Sequence, residues 1–419
     1  MSGIADRSAT LAAWTDDRAA EGVHRDADPP PARQQPAWAD RELLVRVRRR
    51  LAAAPALVRV EDTDMFRRLL ARVAAGELQV IQAGDCAEVP MECTAGSVAR
   101  KAGVLDALAG VMKTASSKPV LRVGRIAGQF AKPRSLATEL VSDMELPVYR
   151  GHMVNDPQPT PHARRHDPAR MLMCYQAASD AMTFLGWTGD EPPRPSGPRP
   201  TPEPPVEPKV WTSHEALVLD YEVPLLRRTD DGRLLLASTH WPWIGERTRQ
   251  LDGAHVALLA DVANPVACKV GPTMTHDELV ALCERLDPAR EPGRLTLIAR
   301  MGAEAVTAKL PPLVEAVRRA GHPVVWLTDP MHGNTVSGPD GLKTRFMESI
   351  LHEVREFQSA VRTAGGVPGG MHLETTPDEV TECVADHTRL DQVGVKYTSL
   401  CDPRLNPRQA IAVAAEWRG

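Results

Sequence analysis

Short apolar runs recur along this 419-residue chain from Leu78 onwards, and most of them precede a segment with helical periodicity. Most runs end in a polar turn that contains Gly or Pro, as buried strands commonly do. Regular alternation of strands and helices is typical of a parallel sheet. The eight candidate strands are LQVIQAGDC, KPVLRVGR, LLLASTHWPWIGER, PVACKVGP, LTLIARMG, PVVWLTDPMHG, GGMHLE and VKYTSLCD. Eight strand–helix units predict a (β/α)8 barrel, and an open doubly wound sheet is the alternative.

The chain divides into an N-terminal extension and the region that holds these runs. Residues 1–39 are polar and contain several Pro, which predicts a loosely ordered arm, and two helices follow it up to Gly76. We therefore expect residues 1–77 to form an arm and helices that pack on a catalytic barrel at 78–419. Within the barrel, residues 191–208 contain nine Pro in eighteen positions. Because Pro fixes φ and removes the amide donor, this stretch predicts an extended linker inserted into the barrel.

Composition and charge exclude several classes of protein. Hydrophobic residues make up 43% of the chain and charged residues 25%, which is enough for a large core. The net charge of -4 argues against nucleic acid as a partner. No apolar run approaches the roughly 20 residues of a membrane span, and the N-terminus lacks a signal pattern, so we expect a cytoplasmic protein. The seven Cys have no spacing typical of a disulfide framework.

Every predicted strand ends in a residue that can bind a metal or a charged group. From the first run to the eighth, these residues are Cys86, Arg125, Glu246 with Arg247, Lys269, Arg300, His332, Glu374 and Asp402. Catalytic groups of (β/α)8 barrels lie at the C-terminal ends of the strands. The first run and the last three offer sulfur, nitrogen and oxygen ligands, which together suit a divalent transition metal. The first and eighth strands are neighbours in a closed barrel, so these four ends would form one sector.

The remaining strand ends are mostly cationic, and they predict a pocket for a multiply charged anion. Arg guanidinium groups bind phosphate and carboxylate oxygens in pairs, and four cations are costly to bury without an anion. The loop after the second run, GRIAGQFAKPRS, adds Lys132, Arg134 and Ser135, which suit a second phosphate. Taken singly, several of these residues have structural explanations: Cys86 as a small buried hydrophobe, Glu374 as a helix cap and Asp402 as a turn residue.

Ten motifs in this chain resemble those of the type II 3-deoxy-D-arabino-heptulosonate 7-phosphate (DAHP) synthases, the first enzymes of the shikimate pathway. The motifs are AGDCAE, GRIAGQFAKPRS, YRGHMVN, SHEALVLDYE, WIGERTRQLDGAHV, CKVGPTM, IARMG, DPMHGNT, GGMHLE and CDPRLNPRQA. They run in one order from about residue 78 to the C-terminus. The resemblance implies a (β/α)8 barrel with N-terminal additions. It also implies an aldol-like condensation of phosphoenolpyruvate with erythrose 4-phosphate and water, which gives DAHP and phosphate.

The resemblance also implies a role for each site residue. The metal ligands would be Cys86, His332, Glu374 and Asp402. The phosphoenolpyruvate site would be Arg125, Glu246, Arg247, Lys269 and Arg300. The erythrose 4-phosphate site would be Lys132, Pro133, Arg134 and Ser135. Glu246 is then a candidate for positioning or deprotonating the water, and Lys269 for donating a proton. The metal would be Mn, Co, Zn or Fe, and we expect a homo-oligomer, a dimer or a tetramer.

Three features depart from the usual pattern of that family. Ala83 stands where a second Gly is usual, and His152 stands where an Asp is common. The Pro-rich stretch at 191–208 stands where longer members carry an additional helical pair that builds effector sites for aromatic amino acids. The resemblance is therefore to the short members, which are often associated with secondary metabolism. We accordingly expect no feedback inhibition by Phe, Tyr or Trp.

Other functions stay open at this point. The aldehyde could be an amino- or imino-erythrose 4-phosphate, which would make the chain an amino-DAHP synthase. A catalytically silent paralogue that acts as a regulatory subunit would keep the same fold. Without the resemblance, a barrel metallohydrolase with a phosphorylated substrate fits the same residues. Cys86 and Cys401 are both expected near the metal site, and the sequence leaves open whether they form a regulatory disulfide there.

Overall fold

The computed structural model describes residues 30–141, 143–187, 209–338 and 340–419. In chain order, its strands are β1 (Gln79–Gly84), β2 (Val120–Arg125), β3 (Thr138–Val141), β4 (Met144–Pro147), β5 (Trp211–Glu215), β6 (Leu226–Arg228), β7 (Leu234–Leu236), β8 (Trp241–Ile244), β9 (Val266–Val270), β10 (Leu295–Ala299), β11 (Val325–Thr328), β12 (Thr335–Ser337), β13 (Lys343–Arg345) and β14 (Pro368–Glu374). Eight of them form a closed parallel barrel in the order β1, β2, β5, β8, β9, β10, β11 and β14. The (β/α)8 barrel predicted from the sequence is therefore confirmed.

Helices connect most of the barrel strands and cover their outer face. They are α1 (Arg41–Ala52), α2 (Val60–Ala74), α3 (Ala95–Ser116), α4 (Ala169–Phe184), α5 (Leu219–Glu222), α6 (Ala254–Asp261), α7 (His276–Leu286), α8 (Val306–Arg319), α9 (Met347–Thr363) and α10 (Pro407–Ala415). Three hairpins, β3–β4, β6–β7 and β12–β13, are additions to the barrel. The Pro-rich stretch at 191–208 and the arm up to residue 29 lie outside the described residues.

The two helices predicted before the barrel are present as α1 and α2. Of these, α2 packs against the N-terminal end of the barrel. Asp40 begins α1, since its carboxylate accepts a hydrogen bond from the Leu43 amide at 2.8 Å. On α2, the ring of Phe66 stacks on Trp211 at 4.7 Å and meets the edge of Trp241 at 5.4 Å. Both Trp residues begin barrel strands, so α2 closes the end of the barrel opposite to the strand C-termini.

Two of the strand predictions are wrong. The third barrel strand is β5, whose sequence WTSHE is too polar to stand out as an apolar run. The side chains of Thr212, Ser213 and His214 are buried and hydrogen-bonded; the Ser213 hydroxyl, for example, donates to the Gly124 carbonyl at 3.0 Å. The segment 395–402, predicted as the eighth strand, is a loop. There the Ser399 amide donates to the Glu382 carboxylate at 2.8 Å rather than to a neighbouring strand.

These corrections change the strand to which several site residues belong. The eighth strand is β14, so Glu374 ends the eighth strand rather than the seventh, and His332 follows the seventh strand. Asp402 belongs to the loop beyond β14. The pairing of β14 with β1 sets Glu374 directly opposite Gly84. The predicted neighbourhood of the first and eighth strands therefore persists, although a different segment supplies the eighth strand.

The close approach of β14 to β1 requires glycine at position 370, and this requirement is testable. Gly370 has a φ of +151°, and a Cβ there would lie 2.0 Å from the Val80 carbonyl oxygen. We expect Gly370→Ala to lower the free energy of unfolding by at least about 2 kcal/mol, because backbone on both strands must shift. Urea denaturation followed by circular dichroism measures this change.

The matched control for that variant is Gly103→Ala on the exposed face of α3. A Cβ at Gly103 meets no atom within 4 Å. This change should raise the free energy of unfolding by up to about 1 kcal/mol, since Ala favours helix. Equal stability of the two variants would mean that β1 and β14 tolerate a side chain at their contact.

Candidate active site

The C-terminal ends of the barrel strands surround a cavity of about 460 Å³. Twelve of the thirteen predicted site residues line it, namely Cys86, Arg125, Lys132, Pro133, Arg134, Ser135, Glu246, Arg247, Lys269, Arg300, His332 and Asp402. The thirteenth, Glu374, is fully buried and contacts three of these residues. The structure thus brings together side chains that are up to about 300 positions apart in the chain, as expected for the catalytic end of a barrel.

Three of the predicted metal ligands form one compact group. Ligand atoms of His332, Glu374 and Asp402 all lie within 4.8 Å of one another. Cys86 lines the same cavity but is not part of this group, and its Sγ lies 3.3 Å from the Ser399 hydroxyl. A hydrogen bond from Cys401 and the nearby Lys132 ammonium lower the pKa of Cys86 to about 6, against the effect of burial. All seven Cys, including Cys401, are free thiols.

His332 is oriented by a residue that the sequence reasoning missed. The Nδ1 atom of His332 lies 2.8 Å from Asp329 Oδ2, and its Nε2 atom lies 3.3 Å from Glu374 Oε1. Burial would raise the pKa of Asp329, but His332 and Lys269 outweigh this effect and hold it well below its usual range. A carboxylate on one ring nitrogen is the usual partner of a metal-binding His, because it leaves the other nitrogen free to bind. Asp329 lies in the motif DPMHGNT, and this motif was the sequence feature from which its role could have been predicted.

Glu374 carries the densest set of charges in the site. Its carboxylate lies 3.1 Å from Arg125, 3.0 Å from Lys132 and 2.9 Å from Arg345, which the sequence reasoning did not identify. Burial would raise the pKa of Glu374, but His332, Lys132 and both Arg residues outweigh it and lower the pKa well below its usual range. The carboxylate is therefore ionised at neutral pH. Arg125 and Lys132 contact its Oε1 atom, whereas Arg345 contacts Oε2.

These observations fit a divalent cation. One imidazole nitrogen and two carboxylates converge within reach of a single centre, and a thiol with a lowered pKa lies in the wall beside them. Such a mixed set of nitrogen, oxygen and sulfur ligands suits Zn, Fe, Co or Mn better than Mg or Ca.

The cationic sector predicted from the sequence lies beside this group. Arg125 is held at the end of β2 by the Asp85 carbonyl at 3.0 Å, and its guanidinium lies 5.4 Å from the centre of the Trp243 ring. Lys269, on β9, contacts the Asp329 carboxylate. Burial lowers the pKa of Lys269 to about 8, assisted by Arg125 and opposed by Asp329. Arg300 follows β10 and donates to the His332 carbonyl at 3.0 Å. Three fixed cations therefore face one side of the cavity.

The loop 132–135 and the end of β8 form the outer part of the cavity. Arg247 donates to the Ser135 hydroxyl at 2.7 Å, so the two predicted phosphate sites meet here. Lys132 lies deeper than its neighbours, with its Nζ 2.6 Å from Asp402 and 3.0 Å from Glu374. The Arg134 amide donates to the Gln34 side chain at 2.9 Å, which ties this loop to the segment before α1.

Two further residues in the cavity were missed by the sequence reasoning. Glu215 ends β5, is fully desolvated on one carboxylate oxygen, and has a pKa raised by burial against the opposing effect of Lys269 and Lys132. It was missed because the strand that carries it was not recognised, although the motif SHEALVLDYE contains it. Lys343, on β13, lies 2.8 Å from Asp402 at the cavity mouth. The hairpin β12–β13, which carries Lys343, has no apolar pattern from which its strands could be predicted.

None of the described helices combines the length and the apolar character needed to cross a bilayer. A solved structure of phospho-2-dehydro-3-deoxyheptonate aldolase from Francisella tularensis resembles the chain with a TM-score of 0.52. That likeness covers 95% of this chain and 100% of the other at 13% identity, so it supports the fold alone.

Sequence comparison gives a closer relationship. The chain is 58% identical over 387 residues to a "Probable phospho-2-dehydro-3-deoxyheptonate aldolase" of Pseudomonas fluorescens, which covers 92% of this chain and 94% of that protein. It is 41% identical to the aldolase of that name from Streptomyces coelicolor, with the same shares covered. It is 39% identical to one from Mycolicibacterium smegmatis, over 92% of this chain and 91% of that protein. The sequence model of the Class-II DAHP synthetase family matches residues 24–188 and 201–417. The chain therefore belongs to the class-II DAHP synthetase family.

Proposed function

We propose that the protein condenses phosphoenolpyruvate with erythrose 4-phosphate and water to give DAHP and phosphate, the first step of the shikimate pathway. The observation that carries this proposal is one cavity in which the group His332, Glu374 and Asp402 lies beside the cations Arg125 and Lys269. The reaction needs both features, because an aldehyde must be activated next to a substrate with a phosphate and a carboxylate. Membership in the family supports the same reaction.

A divalent metal would be held by His332, Glu374, Asp402 and Cys86, and when bound it would act as a Lewis acid towards the aldehyde oxygen. The remaining residues bind and orient the substrates. Arg125, Lys269 and Arg300 provide the charges for phosphoenolpyruvate, and their fixed positions reduce the entropy lost on binding. Arg134 and Ser135 in the outer loop, with Lys132 and Pro133, provide the site for erythrose 4-phosphate.

The bond changes of the reaction require side chains in the cavity that position the water and that accept and donate protons. C3 of phosphoenolpyruvate attacks the aldehyde carbon, water adds at C2, and the C2–O bond to phosphate then breaks. Glu246 and Glu215 both line the cavity and can hold the water, and the raised pKa of Glu215 suits it to accept a proton. Lys269 is protonated at neutral pH and can give a proton to the new alkoxide. Arg125 and Arg300 offset charge on the phosphate that leaves.

The decisive experiment measures phosphate release from phosphoenolpyruvate with each of two aldehydes. Release with erythrose 4-phosphate supports the proposal, and the DAHP product is identified by its mass. Release only with the amino or imino analogue would make the protein an amino-DAHP synthase. No release with either aldehyde in the presence of Mn²⁺, Co²⁺ or Zn²⁺ would favour a silent paralogue.

The assignment to secondary metabolism depends on 191–208, which lies outside the described residues, and it stays a prediction, as do the cytoplasmic location and the homo-oligomer.

The role of Cys86 as a metal ligand is testable by substitution. Cys86→Ser should lower the affinity for Co²⁺ roughly 10- to 100-fold or more, because an alcohol is a far poorer ligand than a thiolate. Turnover in metal-limited buffer should fall in parallel, and the absorption band of a cobalt–thiolate bond should disappear. The control is Cys283→Ser, a buried thiol on α7 outside the cavity. If Cys86→Ser bound Co²⁺ as tightly as the wild type does, Cys86 would not be a metal ligand.

The separation of the two substrate sites is testable with two Arg variants. Loss of one charge-assisted contact to phosphate should cost about 1.5–3 kcal/mol, or roughly ten- to a hundredfold in affinity. Arg300→Ala should therefore raise the Kd of phosphoenolpyruvate in calorimetry without aldehyde, and Arg300→Lys should recover only part of the loss. Arg134→Ala should instead raise the KM of erythrose 4-phosphate. If Arg134→Ala weakened phosphoenolpyruvate alone, the assignment of the two sites would be wrong.

The lowered pKa of Lys269 predicts the pH dependence of phosphoenolpyruvate binding. Because burial lowers its pKa from an ordinary 10.5 to about 8, the ammonium is present below pH 8 and is lost above it. The Kd should be flat up to about pH 7 and rise above pH 8, by at most about tenfold per pH unit. Since the unfolded chain binds the proton more tightly, this group's contribution to stability increases with pH between 8 and 10.5.

The matched variant for that measurement is Lys269→Arg, whose guanidinium stays charged throughout this range. Its Kd for phosphoenolpyruvate should be higher than that of the wild type at pH 7 but should not rise between pH 8 and 9. The same rise in both proteins would show that a group other than Lys269 titrates.

A further inference from the structure

Glu353 is a buried carboxylate that none of the catalytic roles above uses. It lies on α9 with 1% of its surface exposed, behind the turns that follow β10 and β11. These are the turns that carry Arg300 and His332. No ion pair of Glu353 occurs among the described residues, which is unusual for a buried acid.

One carboxylate oxygen of Glu353 binds the turn after β10. Its Oε1 accepts hydrogen bonds from the Met301 amide at 3.1 Å and from the Gly302 amide at 3.0 Å. Both amides follow Arg300 directly. Two hydrogen bonds from consecutive amides to one oxygen fix the path of the backbone, and with it the direction in which Arg300 leaves β10.

The other carboxylate oxygen binds the turn after β11 through Asn334. Glu353 Oε2 accepts a hydrogen bond from Asn334 Nδ2 at 2.6 Å. Asn334 in turn accepts a hydrogen bond from the Ala303 amide at 2.9 Å and donates to the Pro330 carbonyl at 2.8 Å. Glu353 and Asn334 therefore connect both turns to each other and to α9.

The two turns also pack directly on one another, so a displacement of one would move the other. Gly302 has a φ of +85°, and a Cβ at Gly333 would lie 2.4 Å from the Gly302 nitrogen. Arg300 donates to the His332 carbonyl at 3.0 Å across the same contact. The backbone of each turn thus serves as the support of the other.

A carboxylate at this position has a cost that only its hydrogen bonds offset. Burial raises the pKa of Glu353 and the nearby Asp329 adds to this effect, whereas the hydrogen bonds from Gly302, Asn334 and Met301 lower it and favour the ionised carboxylate. Three donors point at its two oxygens, and an apolar side chain would leave all three unpaired in the interior. Glu353 therefore has a task that neither an apolar residue nor an amide could perform with the present partners.

We propose that Glu353, through Asn334, is a positioning residue that sets Arg300 and His332 relative to each other and so couples the phosphoenolpyruvate site to the metal site. This inference rests on the proposed roles of Arg300 and His332. Glu353 itself touches neither substrate nor metal. Its effect on the reaction is exerted through the backbone of the two turns.

The variant Glu353→Gln tests the hydrogen-bond pattern with little change of shape. The new amide can accept from Met301 and Gly302 but presents its NH2 group to the NH2 group of Asn334. We expect the Kd of phosphoenolpyruvate, measured by calorimetry on the Mn²⁺-loaded protein without aldehyde, to rise roughly five- to twentyfold. The affinity for Mn²⁺ should fall in the same variant, whereas the KM of erythrose 4-phosphate should change less than twofold.

A second substitution separates positioning from simple loss of stability. The double variant Glu353→Gln, Asn334→Ala removes both side chains of the connection, and it is compared with the single variants Glu353→Gln and Asn334→Ala. Because the two residues act as one unit, the loss of phosphoenolpyruvate affinity in the double variant should be clearly smaller than the product of the two single losses. The control is Asp287→Asn, a buried carboxylate after α7 that accepts from the Glu291 amide at 2.9 Å, and it should leave both affinities unchanged.

The outcomes distinguish this inference from the function on which it rests. If Arg300→Ala weakens phosphoenolpyruvate but Glu353→Gln does not, the positioning role is wrong and the site assignment stands. If Glu353→Gln and Asp287→Asn weaken binding equally, or the two single losses multiply in full in the double variant, the effect is one of general stability and the inference is likewise overturned. If Arg300→Ala leaves phosphoenolpyruvate binding unchanged, the site assignment itself fails.

Discussion

The pairing of β14 with β1 is the constraint on which the catalytic end of this protein depends. It closes the barrel, and it sets Glu374 opposite Gly84 in a register that begins at Val80 and Gly370. Because Gly84 leads directly into Asp85 and Cys86, this pairing brings a buried carboxylate and a thiol to the same place. The nearby Asp85 is itself held by Lys101 and Arg404 at 2.6 and 2.8 Å, so the turn after β1 is anchored from two further elements. A shift of one residue would move Glu374 to the opposite face of its strand.

The charges around the cavity balance one another, and this balance explains how so many ionised groups are buried together. Glu374 contacts Arg125, Lys132 and Arg345, while Asp402 contacts Lys132 and Lys343. A buried charge is tolerated when it is paired and hydrogen-bonded, and it is costly otherwise. The two substrates together carry two phosphates and a carboxylate, and the metal carries positive charge. On binding, the anionic groups would contact the cations of this network, and the metal would contact its carboxylates. Binding would then exchange partners rather than create unpaired charges.

The residues behind the cavity decide how well the residues in it can act. Asp329 orients His332, and Glu353 with Asn334 holds the backbone on which Arg300 and His332 stand. These supports lie in the turn after β11 and on α9, and not in the outer loop 132–135. Catalytic groups gain most from such support when it holds them in place before the substrate arrives. The division of labour between supporting elements and substrate loops is typical of enzymes built on this barrel.

The sequence by itself determined the alternation of strands and helices, the barrel, and the thirteen residues predicted at its catalytic end. Local patterns are sufficient for these because apolar runs form strands and because the motifs around Cys86, His332 and Glu374 are contiguous in the chain. It did not reveal β5, whose polar Thr212, Ser213 and His214 are hydrogen-bonded in the interior, and it took the loop 395–402 for a strand. Only the tertiary structure decided that Glu215, Arg345 and Glu353 face or support the site. Each of these is brought there by packing across the barrel, and such long-range contacts depend on the closure of β14 onto β1, which no local pattern records.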